Sequence, residues 1–291
     1  MSFSHEEADS LGFLDFNADF SASHIVRVYD ELPLWSAMFG LLMLEHVPLR
    51  AATALDVGCG TGFPLIELAE RLGAGSRVDG IDTWKEALDR AREKILARGL
   101  SNVSVHRCSA AGMPFGDAVF ELIVSNLGLN NFEDRASALR ECRRVAKAGA
   151  VLAITTNLRG HMREFYVAFE DVLRSASDDD GLARLRHHIA QRTTIPDVAS
   201  LLQGSGFRVN KVVERAANWR FADGTAFLNH HFIKLGFLES WKKVARRISE
   251  RSLGGFATNW IARLKKPASS ASPFRWPISR PSPSRSAKAE F

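Results

Sequence analysis

The chain has 291 residues, 46% hydrophobic and 24% charged, an ordinary balance for one sizeable globular domain with appendages. Apolar runs such as Ala150–Ile154 are too short to cross a bilayer, and the acidic N-terminus has no basic stretch followed by an apolar one, so neither a membrane span nor a signal peptide is expected. The net charge of +5 is unevenly placed: residues 241–291 hold 12 of the 38 Lys and Arg but only 2 of the 33 Asp and Glu, so the basic character belongs to the C-terminal part.

Residues 1–22 show little periodicity and read as a flexible arm. From Ser23 to Val47 apolar residues recur at helical spacing, interrupted at Leu32-Pro33, which predicts two short helices. The chain then alternates. Thr53–Val57 reads as a buried strand, and Leu65, Leu68, Ala69 and Leu72 mark one face of a helix opened by Pro64. Arg77–Ile81 is the second strand. Trp84, Leu88, Ala91 and Ile95 share a helical face that ends near Gly99. Val103–Arg107 and Phe120–Ser125 are the next strands, Asp134 to Lys147 a helix, and Ala150–Thr155 a fifth strand.

Beyond, 160–190 reads as helical with a break at Asp178–Gly181, and Asp197–Gln203 as a short helix stopped by Gly204 and Gly206. Phe207–Val213 and Asn218–Phe221 carry strand-like composition and bring the strand count to seven. The expected fold is therefore α/β: a doubly wound, mostly parallel seven-stranded sheet with N-terminal helices, a helical insertion and a helical C-terminal extension. The domain is expected over 23–228, with a lid insertion at about 158–195. A basic amphipathic helical extension would follow over 229–266, then a disordered basic tail over 267–291, rich in Ser, Pro and Arg. Cys59, Cys108 and Cys142 are odd in number and lack metal-ligand spacing, so they read as reduced thiols of a cytoplasmic protein.

The stretch LDVGCGTGFP, Leu55 to Pro64, places a glycine-rich turn between strand and helix. A dinucleotide fingerprint requires G-x-G-x-x-G, but the third glycine comes one residue early here and Phe63 stands where a glycine is needed. No Gly-Lys-Ser/Thr follows, so a phosphate-binding Walker loop fails too. What remains is D-x-G-x-G-x-G from Asp56 to Gly62, followed twenty residues later by Asp82 at the end of the second strand.

This arrangement resembles class I S-adenosylmethionine-dependent methyltransferases. Ser109–Phe115 followed by FELIVSNLGLNNFED is similar, within residues 26–156, to the ubiquinone/menaquinone-biosynthesis methyltransferase family. The resemblance implies S-adenosyl-L-methionine as cofactor, with S-adenosyl-L-homocysteine as product. It implies cofactor contacts from Asp56, Gly58, Cys59, Gly60, Thr61 and Gly62 in the turn, from Asp82 and Thr83, from Ser109 and Ala110, and from Asn126. Tyr29, in VYDELPLW, resembles the tyrosine that closes over the cofactor in many such enzymes, where an aromatic face suits a sulfonium. Ser109 departs from the family's Asn or Asp, Asn126 from its Ser, and the C-terminal substrate region does not match.

Methyl transfer from a sulfonium needs positioning and desolvation more than a catalytic dyad. The histidines are nevertheless candidate bases, with His230 and His231 in a segment that could fold over the pocket mouth. No metal-ligand spacing appears, and no metal is expected. The acceptor is expected to be small and apolar: quinone-like, aromatic or lipid-like. Phe165, Tyr166, Phe169 and Leu173 would make an apolar lid, or else pack the insertion down on the sheet. Two alternatives are weighed beside it. A nucleic-acid methyltransferase could use the basic tail, but Ser125-Asn126-Leu127-Gly128 lacks the prolines of amino-directed base methylation. A membrane-surface or partner-binding protein could use the apolar and basic faces of 237–266 on an anionic membrane.

Overall fold

The computed structural model describes residues 13, 15–31 and 34–245. Most of the expected arm, the Leu32-Pro33 turn, the 246–266 part of the extension and the basic tail lie outside the described residues. The chain divides into two compact units, Asp19–Leu158 with Thr193–Val209, and Arg159–Arg192 with Asn210 onward and the residues up to Ala18.

The first unit opens with helices α1 (Ser23–Glu31) and α2 (Leu34–Leu44). Alternation follows: β1 (Thr53–Val57), α3 (Leu65–Leu72), β2 (Arg77–Asp82), α4 (Lys85–Ala97), β3 (Val103–Arg107), β4 (Phe120–Asn126), α5 (Arg135–Val145) and β5 (Ala146–Thr155), with α8 (Ile195–Gly204) rejoining the unit later. The strands lie in the order β3-β2-β1-β4-β5, and every pairing is parallel.

Strand periodicity sends alternate side chains to opposite faces. Leu55, Val57, Ile81, Phe120 and Ile123 meet Cys142 and Val145 of α5 on one face. Ala54, Val78, Leu122 and Val124 meet Leu65, Leu68 and Ala69 of α3, Leu88 of α4, and Met43 and Leu44 of α2 on the other. Most of these side chains are 0% exposed, and each fully buried Leu or Ile is worth about 1.5–3 kcal/mol relative to exposure. Helices on both faces make the sheet doubly wound.

The strand count corrects the expectation. Among the described residues the sheet has five strands, and neither Phe207–Val213 nor Asn218–Phe221 forms one. Strand propensity measures fit to a half-buried pleated surface. Residues 210–218 are exposed throughout, Val212 and Val213 by 55% and 40%, so the middle of this stretch buries no face that would hold it in register. β5 also begins at Ala146 rather than Ala150, because α5 stops at Val145 and the β4–β5 register slips between Phe120 and Leu122. Gly149, at φ +78°, sits in that irregular stretch.

Helix ends are satisfied locally. Asn102 Nδ2 donates to the Ala69 and Gly73 carbonyls at the end of α3, Asp134 caps α5, and Thr194 with Asp197 forms a reciprocal capping box on α8.

The second unit holds α6 (Arg163–Ser175) and α7 (Asp179–Ala190), separated where Asp178 caps α7. A bent helical run completes it: α9 (Gly224–Asn229), α10 (His231–Ile233), a wide turn over Lys234–Leu238, and α11 (Glu239–Val244). Phe165, Tyr166, Phe169 and Leu173 of α6 are buried, and Phe165 stacks on Trp241 at 4.0 Å. The apolar face of Phe237, Trp241, Val244 and Ala245 is likewise buried, so these residues form a core of their own. Among the described residues no helix is long and apolar enough to cross a membrane.

Candidate functional site

The sheet order reverses between β1 and β4, and in open parallel sheets ligands bind outside the carboxyl ends of the strands at such a point. The glycine turn leaves β1 there. Gly58, Gly60 and Gly62 have φ of +81°, +51° and +104°, a region L side chains rarely adopt. Gly58 and Cys59 donate their N–H groups to the Ile81 carbonyl at 2.8 and 3.0 Å, binding the turn to β2.

Asp82 connects the two loops. Its Oδ2 accepts from Gly60 N at 2.8 Å and its Oδ1 from Trp84 N at 2.8 Å. A carboxylate has about four acceptor sites, so each oxygen keeps capacity for a further donor. Nothing lies within 4 Å of where a Cβ on Gly60 would stand, so the turn presents bare backbone to open space beside that carboxylate. An adenosine-bearing ligand with a vicinal diol fits this pair of features. Asp56 lies beneath the turn, 0% exposed, and its carboxyl is pushed up to about 8, first by burial and then by the charge of Asp82. It is uncharged at neutral pH.

Cys59 turns its thiol into the core, where the Sγ fills the gap left by Gly80, and burial pushes that thiol well above its ordinary value. Only its backbone belongs to the turn's surface. Thr61 is buried in the turn. Thr83 is exposed beyond Asp82, its carbonyl accepting from Arg107 Nε. Ser109 and Ala110 follow β3, and Cys108 N donates to the Asp82 carbonyl, which holds that loop at the same end of the sheet. Ser109 Oγ accepts from Ala111 N within its own turn. The following Met113–Phe115 segment is pinned to α5: Met113 N donates to Glu141, and Arg144 donates to the Met113 and Phe115 carbonyls.

The N-terminal helices reach this same end. The Tyr29 ring meets Trp84 edge-on at 5.3 Å, and its phenol is pushed up by burial and by the nearby charge of Asp82. Trp84 serves this contact rather than the sheet: its Nε1 donates to the Phe20 carbonyl. Asn126, at the end of β4, is 8% exposed, and both the nitrogen and the oxygen of its amide are bonded. Its Nδ2 donates to the Ser36 carbonyl of α2 at 2.9 Å, and its Oδ1 accepts from Thr155 Oγ1 at 2.7 Å. Gly40 of α2 lies so close to the Phe63 ring that a Cβ there would come within 2.4 Å.

The structure thus gathers Tyr29, Asp56, the turn from Gly58 to Gly62, Asp82, Thr83, Ser109, Ala110 and Asn126 at one end of one sheet. His230 and His231 belong to the second unit. His231 packs edge-on against Phe16, His230 edge-on against Phe221 and tilted against Trp219, and burial lowers both imidazoles. In the same unit Tyr166 Oη lies 3.1 Å from His188 Nε2 and accepts from Trp241 Nε1. Sequence reading missed this hub, as it missed Asp30, Thr155, Glu141 and Arg144. Apart from Glu141 and Arg144, which are three residues apart, their partners lie 22 to 75 positions away, and no local pattern marks such pairs.

A parallel doubly wound sheet with this turn and this acid defines a nucleoside-cofactor protein of the Rossmann-like class. The family described as methyltransferase domain matches residues 49–206, more than half of the chain, and the chain belongs to it. It is 34% identical over 128 residues to the demethylmenaquinone methyltransferase of Anoxybacillus flavithermus (strain DSM 21510 / WK1), covering 43% of this chain and 54% of that protein. It is 39% identical over 102 residues to the enzyme of the same name from Geobacillus stearothermophilus, covering 35% and 44%. The chain spans about half the length of the curated relatives it matches. A SAM dependent methyltransferase from Aquifex aeolicus has a similar structure, with a TM-score of 0.53, 25% identity, and coverage of 68% of this chain and 93% of that one.

Proposed function

We propose that the chain is an S-adenosylmethionine-dependent methyltransferase acting on a small, apolar, quinone-like or aromatic acceptor. The observation that carries the cofactor is the Asp82 carboxylate hydrogen-bonded to Gly60 beside open space at the glycine turn. When bound, the cofactor supplies a methyl group on a positively charged sulfur that departs as a neutral thioether. Asp82 would hold the ribose hydroxyls, and the bare backbone of the turn would let the amino-acid part lie close. Tyr29 and Trp84 would cover the nucleoside side and exclude water.

For the acceptor, α2 supports an apolar class. It carries no charged residue, it is held at the end of β4 through Ser36 and Asn126, and Trp35, Met38, Phe39 and Leu42 remain half-buried there. The names of the relatives point to the same class. Proton removal from the acceptor is assigned to none of the described residues.

Calorimetric titration with S-adenosylhomocysteine tests the cofactor, and a screen of hydroquinones and phenols with methyl-labelled S-adenosylmethionine tests the acceptor. A folded chain that gives no binding heat removes the cofactor reading. Label transferred to nucleic acid and not to the phenols would move the acceptor to another class.

A further inference from the structure

Asp30 sits on α1, next to Tyr29 in sequence, and no part of the proposed reaction uses it. Its side chain is only 9% exposed. Oδ2 accepts from Arg90 Nε at 2.8 Å, and Oδ1 pairs with Lys94 Nζ; both cations stand on α4. The Thr61 hydroxyl, in the glycine turn, lies near enough to this carboxyl to help hold its charge. Burial would raise the carboxyl, but Lys94, then Arg90 and Thr61, hold it below its ordinary value, so it is charged at neutral pH.

Three elements around the crevice therefore converge on one carboxylate: α1, α4 and the glycine turn. Arg90 and Lys94 are 29% and 22% exposed, so the cluster is partly shielded from water and more strongly coupled than a surface pair. A mostly buried carboxylate that loses its charge leaves the Lys94 ammonium without this counter-ion and the Arg90 guanidinium with Glu93 alone. The contact between Tyr29 and Trp84 lies on the same helix as Asp30, one residue away. Whatever fixes Asp30 also fixes where that ring can stand.

We propose that Asp30 is a positioning residue that latches the covering helix α1 to α4 beside the glycine turn, and so sets how long the nucleoside cofactor is retained. This rests on the cofactor reading above for its consequence, but not for the latch itself.

Amide hydrogen exchange over Ser23–Glu31 and calorimetric titration of S-adenosylhomocysteine, both on the full chain, test it. In Asp30→Asn, exchange over Ser23–Glu31 speeds up about tenfold while β1, β2 and β4 keep their protection, and Kd rises about tenfold. Lys94→Met removes a single partner and moves both readouts in the same direction by less, and it decides the matter if Asp30→Asn does not fold. Asp30→Glu, which keeps the charge, recovers part of the affinity. A merely structural role would lower the unfolding midpoint and spread faster exchange over the whole unit. Wild-type exchange over Ser23–Glu31 in both variants, or uniform acceleration in both, overturns the proposal. A wild-type chain that fails to bind S-adenosylhomocysteine sinks the cofactor reading alone, because the exchange readout needs no ligand.

Discussion

Replacing Asp82 by Asn removes one acceptor oxygen and puts an amide NH₂ in its place, with almost no change in shape. The wild-type carboxylate receives Gly60 N at one oxygen and Trp84 N at the other, both at 2.8 Å. Asn offers a single oxygen, so one backbone N–H must face another donor. Hydrogen bonds to a charged acceptor are worth about 1.5–3 kcal/mol each, so losing one costs the turn or the α4 entry about that much. The ligand loses more. A diol that bonded both oxygens would keep one neutral acceptor, a loss of about 3 kcal/mol, or roughly a hundredfold in Kd. Calorimetry with S-adenosylhomocysteine, alongside thermal unfolding of both proteins, is the assay. Ala, which keeps no acceptor at all, should cost at least as much as Asn. If Asp82→Asn binds within threefold of wild type, the carboxylate does not hold the ribose and the account of the site is wrong.

The glycines of the turn should separate binding from stability. Gly60→Ala meets no neighbour and should weaken cofactor binding more than tenfold with a cost to folding of only about 1 kcal/mol, whereas Gly62→Ala, with φ +104° and Ile66 Cδ1 at 2.9 Å, should lower the unfolding midpoint markedly. Asn126→Ala leaves the Thr155 hydroxyl and the Ser36 carbonyl without that partner and should cost about 1–3 kcal/mol in chemical denaturation; combined with Thr155→Val, the two losses should fall short of their sum. Asp56, raised to about 8 when folded, stays protonated while the unfolded chain ionises, so stability falls as pH rises from about 4 to 8 and levels off above. Asp56→Asn should flatten that slope in denaturant titrations across the range. His161, lowered to about 3 chiefly by burial, has the opposite sign: its contribution is present above about 6.5 and is lost as pH falls toward 3. Amide protection factors over 159–192, corrected for the intrinsic exchange rate at each pH, should be lower at pH 5 than at pH 7, and less so in His161→Phe.

The alternation of strand and helix over 50–156 was legible because its period changes from 2 to 3.6 residues within short, well-punctuated segments. The turn was legible for a different reason. Positive φ at three closely spaced positions is a requirement that glycine alone meets without strain, so the conformation is written in the residue types themselves. Asp82 follows from the same local logic, as the acid at the end of the next strand. Ser109 and Asn126 were reached by matching positions, and their surroundings were not: Ser109 Oγ is turned to Ala111 N, and Asn126 to Ser36 and Thr155.

Chain order alone therefore determined the class of the fold, the place of the glycine turn and the acid that faces it, since each depends on neighbours within a few residues or on the next strand. Tertiary structure decided what lies across distance. It showed that 210–218 buries no face and that 207–221 joins no sheet, that the aromatic residues of α6 and α11 form a core with one another, and that α1 is tied to α4 by Asp30, sixty residues from Arg90. Periodicity reports which side of an element is apolar. What that side meets depends on burial and on charges brought together by folding, which spacing along the chain does not encode.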